Sequence, residues 1–120
     1  MPDLKCYGCG TAIRSRRSTV LCPECLRLPP AVQQRIRSAK QRGIVWSLPA
    51  SNVPTILSEL CTYCGGDGGT LNRFDSTRGY EPGNVVPCCV TCNTWKGSLS
   101  VVDFTRHAQR ILIRLGMPRE

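Results

Sequence analysis

Eight of the nine cysteines fall into four Cys-x-x-Cys pairs: Cys6/Cys9, Cys22/Cys25, Cys61/Cys64 and Cys89/Cys92. A two-residue gap lets both sulfurs of a pair reach one ion from a single tight turn, and two such pairs complete a tetrahedral Zn²⁺ site. One pair alone would fit a redox motif, and many cysteines in a secreted chain would fit a disulfide framework. The start, MPDLKCYGCG, has no apolar h-region of a signal peptide. No stretch approaches the roughly 18–20 apolar residues of a membrane span. The expectation is therefore a cytoplasmic chain without membrane contact, where thiols stay reduced and paired cysteines hold metal. The simplest arrangement joins the first pair to the second and the third to the fourth, giving two structural zinc sites; an interleaved arrangement satisfies the same spacing. Cys88, beside Cys89, reads as a small buried apolar side chain or as an alternative ligand.

Charge narrows the partner. The formal net charge is +8. Each Zn(Cys)₄ centre, four thiolates and one dication, carries −2, so two of them lower the formal +8 to +4. Residues 1–60 hold nine Lys/Arg against three acids, and residues 61–120 hold seven against five. An arginine-heavy basic excess suits a phosphate-bearing polyanion, DNA first and RNA second. At 120 residues there is room for one domain, or for two small modules that metal helps to fold.

The elements that must position these residues follow from local pattern. Residues 1–28 read as an N-terminal zinc knuckle or ribbon, with Arg14, Arg16 and Arg17 at the tip between its two pairs, placed for phosphate contact or simply solvated. Residues 29–60 read as a basic helical linker region. Pro29 and Pro30 pre-set a helix over 31–42 whose buried face is Val32, Ile36 and Ala39, and Gly43 stops it. Arg35, Arg37, Lys40 and Arg42 spread around its other faces, along a nucleic-acid backbone or into solvent. Ile44–Trp46 reads as extended, and Ser51 or Asn52 caps a short helix to about Leu60 that buries Ile56, Leu57 and Leu60. In residues 61–120, strands over 70–75 and 84–87 are predicted on either side of a Gly79–Gly83 loop, with a helix beginning just past Cys92. A last helix, capped by Ser100 with Asp103, carries Phe104, Ala108, Ile111 and Leu115 on one stripe and ends at Gly116 and Pro118. His107 borders that stripe, and Trp46 and Trp95 read as core or rim residues, with base stacking as the other use.

The string from Cys61 to Gly97, CTYCGG…LNRFDSTRGYEPGNVVPCCVTCNTWKG, resembles the zinc-braced HNH endonucleases, the ββα-metal nucleases common in bacteriophages. The likeness covers residues 61–106, and more weakly 35–60. It implies a small α+β zinc-stabilised fold, with a ββα-metal core in 61–120 and the N-terminal module as an added binding element. It also implies that Cys61, Cys64, Cys89 and Cys92 bind a structural zinc, while a second cation, Mg²⁺ or Mn²⁺, assists phosphodiester hydrolysis. By position, the strand's metal ligand falls on Asn72, the general base on Arg73, a base-fixing asparagine on Asn84 and the helix-start ligand on Asn93. Lys96 matches a phosphate-facing basic residue, and Arg78 joins the nucleic-acid-facing set.

Two of these positions depart from the pattern. Arg73 cannot accept a proton at ordinary pH. Asn72 offers a neutral carbonyl where a carboxylate would hold a hard dication. Asp75, two residues beyond Arg73, is a candidate replacement ligand, and His107 a candidate base if the last helix folds back. The leading expectation is an HNH-type DNA endonuclease of a bacterial or phage-infected cell, with Arg73, Asp75, Asn84 and Asn93 in its site. The alternative is a nucleic-acid-binding zinc protein on the same scaffold whose chemistry is lost, and a third reading is a zinc protein that contacts only other proteins.

Overall fold

The structure is a computed structural model and describes residues 4–6, 8, 12–13 and 21–117. Near the N-terminus two short strands, β1 (Leu4–Lys5) and β2 (Ala12–Ile13), pair antiparallel. A single turn of helix, α1 (Pro23–Leu26), leads through Pro29 into α2 (Pro30–Gln41). Helix α2 begins one residue earlier than the pattern suggests, because Pro30 needs no N–H acceptor and already holds a helical φ. Val32, Ile36 and Ala39 are its buried face, as their spacing requires. Gly43 turns the chain at a φ of 69°.

The extended run after Gly43 does not join a sheet. It forms one parallel bridge, Trp46 to Tyr80, in which Tyr80 N–H donates to Val45 O and Ser47 N–H to Tyr80 O, both at 2.8 Å. A 3₁₀ turn (Ala50–Asn52) then precedes α3 (Val53–Ser58). This differs from the expected helix to Leu60. No side chain caps α3, its buried residue is Val53, Ile56 and Leu57 are half-buried, and Leu60 is 63% exposed. The helix stops because Glu59 turns extended and Leu60 bridges to Asp67.

Strands β3 (Thr70–Arg73) and β4 (Val85–Cys88) pair antiparallel, in a register running from Thr70 opposite Cys88 to Arg73 opposite Val85. Relative to 70–75 and 84–87, β3 ends two residues earlier and β4 is shifted by one residue. The Asn84 side chain accepts the Asp75 N–H at 2.9 Å, which bends the chain away from the ladder. Helix α4 (Val90–Lys96) starts before Cys92, not after it: Cys89 is its N-cap, and the Cys89 sulfur accepts the Cys92 N–H at 3.3 Å. Helix α5 (Val101–Leu115) has the expected ends, with Ser100 Oγ accepting the Asp103 N–H at 3.0 Å and Gly116 left-handed at a φ of 67°.

One buried cluster unites the three sequence segments. It takes Cys6, Leu21, Cys22, Cys25 and Leu28 from the first, Val32, Ile36, Ala39, Leu48 and Val53 from the second, and Leu71, Tyr80 and Val85 from the third. Helix α5 contributes no buried residue to it and leaves Ile111 and Leu115 in solvent. The molecule's extents are 63 × 25 × 21 Å. No described helix is long and apolar enough to cross a membrane.

Candidate metal centres and an arginine-lined cleft

The sulfurs of Cys61, Cys64, Cys89 and Cys92 all lie within 4.8 Å of one another, and those of Cys6, Cys22 and Cys25 form a second such group. Among the described residues the pairing is therefore first with second and third with fourth. Cys9, the fourth ligand expected in the N-terminal group, lies outside the described residues, as do Arg14, Arg16 and Arg17.

Local backbone builds each group. In the first, Cys6 Sγ accepts the N–H of Gly8 at 3.3 Å and of Cys22 at 3.2 Å, the donor pattern that steadies a thiolate. A Cβ on Gly8 would stand 2.8 Å from Cys25 Sγ and 3.4 Å from Ile36 Cδ1, so the cysteine turn packs directly on α2. In the second, the Gly65 N–H returns to Cys61 O at 2.9 Å, and the Cys61 N–H reaches Gly66 O at 2.7 Å. Cys64 Sγ and Cys89 Sγ stand 3.8 Å apart. A tetrahedron with metal–sulfur arms of about 2.3 Å has edges near that length, whereas a disulfide measures about 2.0 Å.

The second group's electrostatics call for a cation. Burial acts to raise the Cys61 thiol, but hydrogen bonds from the backbones of Cys64, Cys89 and Tyr63 outweigh it and lower the pKa to about 6. Burial and hydrogen bonding to Cys89, Cys64 and Cys61 push Cys92 strongly the other way. Four thiolates this close repel one another, and a dication at their centre removes the conflict. Cys88 is fully buried, its thiol pushed up to about 12 by burial and then by the charge of Cys61. It stays outside the four-sulfur group, in accord with its reading as a packed apolar side chain.

Beside this centre lies a cleft of about 300 Å³ lined by Arg35 of α2 and Arg42 at its C-cap, Asn72 and Arg73 of β3, Ser76, Tyr80, Asn93 of α4, Gly97 and Ser98. A hydrogen-bonded chain crosses its floor. The Tyr63 hydroxyl donates to Asn72 Oδ1 at 2.7 Å, and Asn72 Nδ2 donates to Asn93 Oδ1 at 2.9 Å. Asn93 Nδ2 in turn reaches Thr70 Oγ1 at 3.2 Å and Leu71 O at 3.3 Å. Burial first, then the charges of Cys88, Cys61 and Cys92, push the Tyr63 hydroxyl up to about 12, so it remains a donor. Arg73 lies over the Tyr80 ring, 5.4 Å from its centroid, and its Nη1 donates to Ser76 O and Arg78 O at 2.9 Å each.

Several expected site residues stand elsewhere. Asp75 Oδ1 accepts from Thr77 N at 2.9 Å and Thr77 Oγ1 at 2.6 Å, an exposed turn cap that holds its pKa down; it does not line the cleft. Asn84 fixes loop backbone instead of a base: beyond its bond from Asp75 N–H, its Nδ2 donates to Asp75 O at 3.1 Å and Gly79 O at 2.8 Å. Lys96 points inward, 1% exposed, with Nζ donating to Arg73 O at 3.3 Å, so it faces no phosphate. Arg78 is paired with Glu81, its Nε 2.8 Å from Oε1. Lys40 lines a separate hollow with Gly43, Ile44, Val45 and Trp46. Arg37 is half-buried on α2 and does not line the arginine cleft. His107 lines a groove with Trp95, Leu99, Phe104, Ala108 and Ile111, so α5 does not fold back to bring a base. Trp46 packs against Tyr80 with ring centroids 4.8 Å apart and planes tilted by 31°, and its Nε1 donates to Leu48 O, a rim role, while Trp95 is 67% exposed.

Sequence reading placed Arg42 only among the basic residues of the helix and overlooked Tyr63. Arg42 stands seven residues after Arg35, two helical turns along the same face, and that spacing was the available signal. Tyr63 sits between two cysteines, where nothing local announces its reach to Asn72.

A hard dication takes oxygen ligands and favours carboxylates. The cleft offers Asn72 Oδ1 and Asn93 Oδ1, each with one hydrogen bond already accepted, and no carboxylate or imidazole among the described residues lining it. A dication held there would draw on these two oxygens and would need further oxygen ligands from elsewhere.

No family model matches the chain, and no curated protein matches it. Among solved structures, the chain is similar to the rare-cutting HNH restriction endonuclease PacI, a structure concerned with DNA perturbation. Identity is 18%, the TM-score is 0.51, and the match covers 96% of this chain and 99% of that one. The likeness supports a small α+β fold of that kind, here with cysteine groups able to bind zinc.

Proposed function

We propose that this chain is an HNH-type endonuclease that hydrolyses DNA phosphodiester bonds with help from a divalent cation, Mg²⁺ or Mn²⁺, and holds zinc in both cysteine centres. The observation that carries this reading is the cleft itself, in which Arg35, Arg42 and Arg73 converge beside Asn72 and Asn93 at the junction of β3 and α4. The full-length likeness to an HNH restriction endonuclease supports it.

The chain's own residues bind and orient. Three guanidinium groups supply planar donors that match phosphate oxygens and offset their charge. Tyr63 and Thr70 lock the two asparagines in one rotameric arrangement, so the amide oxygens of Asn72 and Asn93 would hold the cation. When bound, the cation polarises the phosphate and steadies the leaving oxygen. Arg73 stands where related enzymes carry a base, and a positioned base is worth about 10²–10⁴-fold. Turnover is accordingly slow.

The test is supercoiled plasmid incubated with Mg²⁺ or Mn²⁺. Nicked circles should form, and Asn93→Ala should abolish them. A second reading, a DNA-binding protein on this scaffold without chemistry, is favoured by the absence of a carboxylate or imidazole among the described residues lining the cleft. It predicts a gel shift that weakens steeply with salt and no nicked product at any divalent concentration.

A further inference from the structure

Helix α5 carries an apolar stripe that the rest of the chain covers only toward its start. Val101, Phe104, Ala108, Ile111 and Leu115 alternate spacings of three and four, the repeat that lines the seam between paired helices. Phe104 and Ala108 are half-buried, and Phe104 meets Tyr63 edge to face with ring centroids 5.6 Å apart. Farther along the stripe opens, with Ile111 38% and Leu115 66% exposed. A groove of about 390 Å³ runs beside it, lined by Trp95, Leu99, Phe104, His107, Ala108 and Ile111. It shares no lining residue with the arginine cleft. A helix of this length is marginal in water by propensity alone and draws most of its stability from what packs on its apolar face.

Area, shape and charge fit this face to a second copy of itself. The exposed fractions of Trp95, Leu99, Ile111 and Leu115 leave on the order of 400 Å² of apolar side chain per copy, or about 800 Å² for two. A standard interface of about 1,600 Å² is about 57% apolar, close to that sum. Laid antiparallel, the two stripes interdigitate: Phe104 meets Leu115 of the second copy, and the small Ala108 meets its Ile111. Asp103 is the one acidic residue of α5, and Arg114 stands in its last turn. Antiparallel order brings Asp103 beside the second copy's Arg114, whereas parallel order sets each against its own like charge.

We infer that two copies of this chain associate through α5, antiparallel about a two-fold axis, each seating Leu115 in the other's groove beside Phe104. The association uses no residue of the arginine cleft, so it is independent of the endonuclease reading.

The experiment is sedimentation equilibrium of the zinc-loaded full chain, without DNA, across roughly 1–500 µM. The average mass should climb from the 13.2 kDa of one chain toward twice that, with half-association on the order of 10 µM. Ile111→Glu and Leu115→Glu should each hold the single-chain mass at the highest concentration. Both should keep the wild-type far-ultraviolet circular dichroism in dilute solution, since neither residue enters the buried cluster. Asp103→Arg and Arg114→Asp should each weaken association about fivefold, and an equal mixture of the two should recover it to within about twofold of wild type. Wild type at the single-chain mass throughout, the result expected if a different protein covers α5, would overturn the inference. Glutamate variants that associate like wild type would overturn it as well. A mixture no tighter than its separate components would overturn the antiparallel order.

Discussion

Arg73 divides its guanidinium between two duties. Nη1 is spent on the carbonyls of Ser76 and Arg78, which ties down the loop between β3 and β4, while Nε and Nη2 remain for the cleft. Lys96 supports the same residue from below through Arg73 O. Burial, then the Arg73 guanidinium, lowers the Lys96 pKa below its ordinary 10.5. A lysine with a depressed folded pKa binds fewer protons folded than unfolded between its two pKa values, so stability rises with pH across that interval. Lys96→Met should therefore melt no lower than wild type at neutral pH. Any advantage of the variant should shrink as pH climbs through the folded value toward 10.5, read as the difference between two melting curves. Asn84 has the contrary signature. It is 1% exposed and satisfies three backbone groups, so Asn84→Ala leaves them unmatched and should cost about 2–4 kcal/mol in urea unfolding.

At the scale of elements, two contacts decide where the cleft's walls stand. The Trp46–Tyr80 bridge draws the loop after β3 against the strand-like run that follows α2. Gly79 makes that approach possible, since a Cβ there would lie 2.5 Å from Val45 O and 2.9 Å from Val45 Cβ. Gly79→Ala should destabilise by about 1–3 kcal/mol and weaken DNA binding with it. Ser100→Ala, removing the cap of α5, should cost about 1 kcal/mol and leave DNA binding unchanged, because α5 does not line the cleft. The contrast marks what the amino-acid order discloses. Cysteine pairs, the Val32/Ile36/Ala39 face and the Ser100 and Gly116 ends are short-range patterns, and each stands where spacing puts it. The direction of Asp75, the burial of Lys96 and the openness of α5's stripe depend on which distant surface arrives, and no local pattern carries that. Arg42 falls between these cases, since its face was legible and its neighbours were not.

Across the whole molecule, the first cysteine centre is part of the buried cluster, while the second lies outside it. The first sits against α2 through Ile36, and the second ties the turn before β3 to the start of α4. Together they fix the two walls between which Arg35 and Arg42 confront Asn72, Arg73 and Asn93. Structural zinc supplies on the order of 10 kcal/mol per centre, comparable to the entire stability of an ordinary domain. Strong chelation should therefore abolish the folded circular dichroism signal and DNA binding in one step, and zinc should restore both. Native mass spectrometry of the purified chain reads metal content and compactness at once. The account predicts narrow, low charge states carrying two zinc ions, with the metal-free mass confined to the broad, highly charged envelope of an unfolded chain. A compact, metal-free species would contradict it.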